Sequence, residues 1–412
     1  MWSRRRLGVL LCCGAVTAAG MGASTSSGQS AGQAPTTVQA HREEGIVGRP
    51  PPPVRGRGRT GALPCGLEGA LNDGYRYRRA SGTLRAAMIF VDFSDVPADG
   101  SLTPAQLYEN FVPRSAEAFR RLSSGRFELS VTPATVWARM PEPNSSYGFG
   151  DDNGSTYEDF YAYIRDAVAA ADPYFDFSGY SAVFVVPAPG SKAPFASGPG
   201  EANGEGFMAD GHEVTYSAAL RANDEYDLDF TGLVHETGHM LGLPDLYDTE
   251  NQGSFVGVWD VMDQTGSADT PMTAWSHLLV GWLGKSDFRC VTRSATKTLT
   301  PVDRPGGLKA MLVKTSSTSA YVVEARSESD RDGCRRDGVL VYRVRTTRAS
   351  GEGPVRVLDA ADPPDGCYEH GNATFIPGDD SESVYRAGGG KFTLRVAGQK
   401  GDGFRVLVKT KR

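Results

Sequence analysis

The sequence HETGHMLGLPD, residues 235–245, places two histidines four positions apart. On an α-helix this spacing puts His235 and His239 on one face, where both imidazoles can reach the same metal ion. Imidazole suits zinc, and two nitrogen ligands leave room for a third ligand and a water molecule. Glu236 would lie beside that water and take its proton, since zinc lowers the pKa of a bound water to about 7. The stretch therefore predicts a catalytic zinc helix.

The residues after the second histidine predict the third ligand. Gly242 tolerates the left-handed backbone that ends a helix, and Pro244 prevents the helix from resuming. The chain should then turn back and bring Asp245 to the histidines, with Asp248 as a competitor three residues further on. The plain alternative is a surface helix with chance histidines. A glycine, a proline and an aspartate at these offsets favour the metal site, because each has its own mechanical role.

The segment VWDVMD, residues 258–263, follows the histidines at a distance that suits a methionine turn beneath a zinc site. A lone methionine is more often a filler of core gaps. Met262 is therefore expected to support the site by packing and not to bind the metal.

The first 62 residues predict export. Arginines at positions 4–6 precede an apolar, small-residue run, and residues 1–23 are expected to be a signal peptide. The arginines leave both the general secretory route and the twin-arginine route open. Residues 24–62 have almost no large apolar side chains and are expected to be a disordered linker or a short pro-segment. We expect a secreted, extracellular protein without a stable membrane anchor.

Four cysteines remain outside the signal segment, an even number in an exported chain. They predict two disulfides. Sequence proximity favours Cys334 with Cys367, which leaves Cys65 to pair with Cys290. In an alternative arrangement the Cys65 thiolate would bind the zinc, and Cys290 would then be unpaired.

The rest of the chain predicts two domains. In residues 63–286, apolar strands such as residues 84–93 alternate with helices. One helix is expected to begin at Thr103, and another is expected to be capped by Ser155 with Glu158. We therefore expect an α/β (α+β) zinc peptidase domain. Residues 287–412 are short alternating runs of apolar and polar residues between turns and predict an all-β, sandwich-like domain.

The net charge of the chain is −6, and removing +3 for residues 1–23 and +3 for residues 24–60 leaves −12 on the remaining residues. Such an acidic body argues against nucleic acid as a partner.

Several segments together resemble the immune inhibitor A family of secreted bacterial zinc metallopeptidases. Besides HETGHMLGLPDLYD and VWDVMD, they are MIFVDFSD (88–95), RLSSGRFELSV (121–131), DFSGY (176–180) and PMTAWSHLLVGWLG (271–284). The resemblance runs from about residue 84 to at least residue 345. It implies a zinc-dependent endopeptidase of metzincin-like fold with His235 and His239 as ligands, Glu236 as general base and acid, and Met262 as the turn methionine.

The calcium site of that family is not evident here. Family members often carry an Asp-rich calcium loop after the DFSxY phrase, whereas Tyr180 runs directly into Ser181, Ala182 and Val183. Calcium as a second cofactor thus has no clear loop to support it. Zinc remains the expected metal.

The favoured function is hydrolysis of peptide bonds in extracellular proteins, by a monomer with a protein or peptide as its substrate. One alternative is a non-catalytic surface-binding protein with a structural zinc, which would not need the Glu236 carboxylate. Another is a zincin that acts on glycopeptide or cell-wall peptide. Residues 290–412 show no evident array of aromatic residues for stacking on sugars, so the protein substrate is preferred.

Overall fold

The computed structural model describes most of the chain after residue 62. The described residues are 63–69, 77–149, 156–193, 196–199, 206–222, 229–251, 253–265, 269–327, 335–363, 367, 369–378, 383–387 and 392–410. All of them belong to one compact unit, Val38–Arg412. The predicted signal peptide (1–23) and linker (24–62) lie outside the described residues.

The first half of the described chain is built around a five-stranded sheet with the order β2-β1-β3-β7-β4. Its strands are β1 (Gly82–Asp92), β2 (Phe127–Arg139), β3 (Ala182–Pro187), β4 (Ala196–Pro199) and β7 (Tyr216–Ala219), and a separate hairpin joins β5 (Phe207–Ala209) to β6 (His212–Val214). β4 is the antiparallel strand and lies at one edge; the other four strands are parallel. Residues 86–91 of β1 have no exposed surface, as the continuous apolar run predicts.

Four α-helices occur among the described residues: α1 (Pro104–Leu122), α2 (Tyr157–Ala171), α3 (Asp229–Met240) and α4 (Ala274–Val280). Short 3-10 turns are Pro64–Gly66, Asn144–Tyr147, Asp172–Tyr174, Gly257–Trp259 and Lys285–Asp287. α1 begins as predicted, because the Thr103 hydroxyl accepts the N–H of Gln106 and the Gln106 side chain accepts the N–H of Thr103. No described helix is both long enough and apolar enough to cross a bilayer.

The cap of α2 corrects the sequence prediction by one residue. The Thr156 hydroxyl accepts the N–H of Asp159, and the Asp159 carboxylate accepts the N–H of Thr156, whereas Ser155 lies outside the described residues. Threonine with aspartate three positions on forms the same reciprocal cap as serine with glutamate. Because Ser155 and Thr156 are adjacent and each is followed three positions later by an acidic residue, the sequence alone does not decide which of them caps the helix.

The second half of the described chain consists of strands in two sheets. The five-stranded sheet has the order β13-β12-β11-β10-β8 and the four-stranded sheet the order β14-β15-β16-β9. The strands are β8 (Phe288–Cys290), β9 (Ala295–Leu299), β10 (Ala310–Ser316), β11 (Ser319–Arg326), β12 (Gly338–Arg345), β13 (Val355–Val357), β14 (Val384–Arg386), β15 (Phe392–Lys400) and β16 (Gly403–Thr410). The chain is thus a mixed α/β protein with several sheets and few helices.

The β13-to-β8 sheet is buried on both faces. On one face Val323 and Val341 share a core with Leu394 and Val406 of the four-stranded sheet. On the other face alternate residues such as Val322, Leu340 and Tyr342 join the core of the first half. The division into domains at residue 286 stays a prediction.

The predicted disulfide between Cys65 and Cys290 is confirmed, with 5.5 Å between the two Cα atoms. This pairing excludes Cys65 as a thiolate ligand of a metal while the bond is intact. Cys367 is also disulfide-bonded, but Cys334, its predicted partner, lies outside the described residues.

We expect the double variant Cys65→Ala/Cys290→Ala to lose about 2–5 kcal/mol of unfolding free energy, because the disulfide closes a loop of 225 residues and restricts the unfolded chain. Denaturant unfolding of the wild type and the variant gives this difference. Peptide mapping without reductant should recover Cys65 linked to Cys290, and would test Cys334 with Cys367 in the same run. Alkylation of Cys65 in the unreduced native protein would contradict the bond.

Candidate metal centre

His235, His239 and Asp245 converge on one point. The two Nε2 atoms are 3.0 Å apart, and Oδ1 of Asp245 lies 3.3 Å from Nε2 of His235 and 3.1 Å from Nε2 of His239. Ligands about 2.0–2.1 Å from a tetrahedral zinc ion are separated from one another by about 3.3 Å. The triangle therefore has the size of three positions of a zinc coordination tetrahedron. No other group of three His, Cys, Asp or Glu side chains within the described ranges has metal-binding geometry.

The hydrogen bonds of the two rings direct their Nε2 lone pairs to this point. Nδ1 of His235 is 2.9 Å from the carbonyl oxygen of Val261, and Nδ1 of His239 is 2.8 Å from that of Leu243. Because a carbonyl oxygen only accepts, each neutral ring carries its proton on Nδ1. The two Nε2 atoms are then both acceptors and cannot hydrogen-bond to each other at 3.0 Å. A cation between them would remove this conflict, as it does where a second-shell carbonyl orients a histidine ligand.

The Asp245 carboxylate uses its two oxygens differently. Oδ2 accepts a hydrogen bond from the hydroxyl of Ser350 at 2.8 Å, whereas Oδ1, buried beside the histidines, has no hydrogen-bond donor among the described residues. Burial raises the pKa of Asp245, but His239 and His235, in the protonated form that the rings take without a metal ion, lower it by more, so the net pKa lies below its ordinary value. The group is therefore an ionised carboxylate with one oxygen available for a cation.

The turn after α3 forms as the sequence predicts. Gly242 has φ +95°, in the left-handed region that favours glycine, and the N–H of Leu243 donates to the carbonyl of Gly238 at 3.0 Å. This turn brings the Leu243 carbonyl under His239 and returns the chain to Asp245. Asp248, the predicted competitor, instead accepts the N–H groups of Glu250 and Asn251 within its own turn.

Met262 lies directly against the histidine helix. It is fully buried, and a Cβ atom built on Gly238 would be 2.6 Å from its Sδ atom. A glycine between the two histidines thus allows the methionine to approach the helix backbone. The backbone of this turn also binds the cluster. The Val261 carbonyl accepts a hydrogen bond from Nδ1 of His235, and the Met262 carbonyl accepts the N–H of Leu246 at 2.9 Å.

The buried carboxylate of Asp260, which sequence reasoning missed, fixes this turn. It accepts the N–H of Met262 at 3.1 Å, the N–H of Thr273 at 2.9 Å and the hydroxyl of Ser276 at 2.6 Å. Burial raises the pKa of Asp260, and these hydrogen bonds lower it in part. The sequence signal was the aspartate two positions before Met262, which can accept the N–H two residues on as an Asx turn.

Glu236 is fully buried next to His235 on α3. Neither of its carboxylate oxygens has a hydrogen-bond partner among the described residues. Burial raises its pKa above the ordinary range, and the neighbouring His235 and His239 lower it to a smaller extent. A buried carboxyl without a partner is costly, so such a group in a native site calls for a chemical explanation.

His212, a histidine that precedes α3 in the sequence, does not belong to this cluster. It is exposed on β6, and its Nδ1 lies 3.0 Å from the backbone oxygen of Asp210.

A comparison of the chain with protein-family models finds no match, and a search of curated proteins finds none either.

We expect Gly238→Ala to destabilise the protein by about 1–2 kcal/mol. The added methyl group overpacks the buried Met262, at a cost of about 1–3 kcal/mol, which outweighs the gain of up to about 1 kcal/mol in helix propensity. Urea unfolding measures the change. As a control, the same substitution made in a Met262→Ala background should be neutral or stabilising; equal destabilisation in both backgrounds would contradict the contact.

Proposed function

We propose that this protein is a zinc-dependent metallopeptidase that cleaves peptide bonds within protein chains. Within that class, we propose that it belongs with the immune inhibitor A-like peptidases and has their metzincin-like arrangement of histidine helix and methionine turn. The observation that carries the proposal is a cluster of three possible metal ligands next to the unpartnered, buried Glu236 carboxylate, which lies on the helix that carries the two histidines.

The donor set fits zinc better than calcium or magnesium. Two neutral imidazoles and one carboxylate are typical of catalytic zinc, whereas calcium and magnesium prefer shells made of oxygen atoms. Three protein ligands leave one position of a tetrahedron for a water molecule or substrate. When bound, zinc would lower the pKa of water and polarise the carbonyl of the scissile peptide bond.

Glu236 supports catalysis over a structural role for the metal. A structural zinc site is closed by four protein ligands and has no use for an adjacent base. The Glu236 carboxyl, with both oxygens unpartnered, is suited to accept the proton of the attacking water and then to pass it to the amide nitrogen that leaves. Its raised pKa brings the group closer to the range in which a carboxyl both accepts and donates protons.

The edge strand β4 supports an extended peptide as the substrate. β4 pairs with β7 on one side, and no described strand pairs with its other side. It also contacts the metal-site helix, since the hydroxyl of Ser197 donates to the backbone carbonyl of Glu236 at 3.1 Å. An edge strand beside an active site can bind a peptide by adding it to the sheet through backbone hydrogen bonds.

Export is part of the proposal and has one structural support. Disulfides such as Cys65–Cys290 persist in oxidising compartments and are rare in the cytosol of most organisms. Together with the basic and apolar segment at residues 1–23, the disulfide favours an extracellular site of action.

The first test removes the proposed base without removing a metal ligand. Glu236→Gln preserves the size of the side chain, and we expect the rate of casein cleavage to fall by about 10²–10⁴-fold because the proton acceptor is lost. Zinc content by elemental analysis should stay at the wild-type level. A variant that is loaded with zinc and keeps wild-type activity would overturn the proposed role of Glu236.

The second test concerns the third ligand. We expect Asp245→Ala to lower zinc retention by at least about tenfold after dialysis against a weak chelator, since it removes one of three protein ligands. Asp248→Ala is the matched control, because its carboxylate belongs to the neighbouring turn. Loss of zinc in Asp248→Ala alone would assign the third ligand to Asp248 instead.

A further inference from the structure

The loop of residues 346–354, between β12 and β13, reaches the metal centre from the second half of the chain. Its Ser350 hydroxyl accepts the backbone N–H of Asp245 at 2.7 Å and donates to Oδ2 of the same residue at 2.8 Å. A single hydroxyl therefore holds both the backbone and the side chain of the third ligand. Together the two bonds restrict rotation of the carboxylate and leave Oδ1 facing the histidines.

Gly351 completes this contact. Its N–H donates to the Asp245 carbonyl at 3.1 Å, and its own carbonyl accepts the N–H of Thr249 at 3.3 Å. Gly351 has φ +74°, and a Cβ atom at this position would collide with the Thr249 side chain. The close approach therefore requires glycine, and the Ser350-Gly351 pair fits against residues 245–249 through the backbone as well as through the hydroxyl.

The loop that carries Ser350 is itself ordered by hydrogen bonds. The N–H of Arg345 donates to the carbonyl of Pro354 across its base at 2.8 Å, and the N–H of Thr346 donates to that of Thr318 at 2.9 Å. Within the loop, the N–H of Glu352 donates to the Ala349 carbonyl at 3.2 Å. Hydrogen bonds across the base of the loop and within it thus help to fix the position of the Ser350 hydroxyl.

We propose that Ser350 is a positioning residue of the metal centre, which acts through Asp245 and makes the β-rich half of the chain part of that centre. This inference rests on the proposed metal-binding function. Outer-shell partners that orient a ligand raise metal affinity, and their loss typically weakens binding by about 10–100-fold. Without the hydroxyl, the Asp245 carboxylate regains rotational freedom that metal binding must then remove.

Ser350 can be altered without opening a cavity, because it is exposed. The experiment measures the zinc dissociation constant of the full chain by competition with a chromophoric chelator, in the wild type, Ser350→Ala, Ser350→Thr and Thr347→Ala. Thr347→Ala is the matched control, since it deletes a hydroxyl from an exposed position of the same loop that makes no hydrogen bond to Asp245 among the described contacts. Thermal unfolding of the metal-free proteins is the second readout.

We expect Ser350→Ala to weaken zinc binding by about 10–100-fold, with Ser350→Thr and Thr347→Ala close to the wild type and equal unfolding temperatures for all metal-free forms. Equal zinc affinity of Ser350→Ala and Thr347→Ala would overturn the positioning role while leaving the metal centre in place. Lower stability of the metal-free Ser350→Ala and Ser350→Thr proteins, in proportion to their loss of zinc, would also overturn it, because the role would then be structural. A wild type that binds no zinc would instead remove the metal centre itself.

Discussion

The convergence of His235, His239 and Asp245 depends on hydrogen bonds made on the outer side of each ligand. Three separate segments supply the partners: the Val261 carbonyl, the Leu243 carbonyl and the Ser350 hydroxyl. The bonds are made by Nδ1 of each histidine and by Oδ2 of Asp245, which point away from the centre. The two Nε2 atoms and Oδ1 of Asp245 therefore face inward. Three acceptors held 3.0–3.3 Å apart repel one another, and a cation bound between them would relieve this repulsion.

A chain of buried polar contacts connects the β-rich half to this site. The fully buried Glu324 on β11 accepts the N–H of Ala274 at 2.8 Å, at the start of α4, and the hydroxyl of Tyr342 at 2.6 Å. The residues at the start of α4 in turn hold Asp260, which fixes the methionine turn beneath His235. Arg326 pairs with Glu324 at 3.0 Å, so the buried charge has an opposite partner. Removal of one partner of such a buried pair is strongly destabilising, because the other charge is left without compensation.

The sequence was most informative where the chemistry is local. The four-residue spacing of the histidines, the Gly242 and Pro244 turn and the buried run of β1 all appeared where the patterns predict them, because each is decided by residues within one or two turns of chain. The Cys65–Cys290 bond was also predicted, because sequence proximity paired Cys334 with Cys367 and left Cys65 with Cys290. The helix start at Thr156 was missed by one residue, since Ser155 can cap equally well.

Contacts between distant parts of the chain could not be predicted. Ser350 lies 105 positions after Asp245 in an ordinary polar loop, and nothing in its local pattern indicates a ligand partner. The role of Gly238 did have a signal, because a glycine inside a helix costs about 1 kcal/mol and its presence often reflects close packing. The contact of Gly238 with Met262 becomes visible only when the turn is placed under the helix.

X-ray absorption at the zinc edge of the purified full chain tests the central claim most directly. The account predicts a first shell of nitrogen and oxygen atoms at about 2.0–2.1 Å, with the outer-ring scattering of two imidazoles. It also predicts that the imidazole signal falls by half in His239→Ala. A shell that contains sulfur at about 2.3 Å, or one made only of oxygen atoms without imidazole scattering, would contradict a centre built from His235, His239 and Asp245.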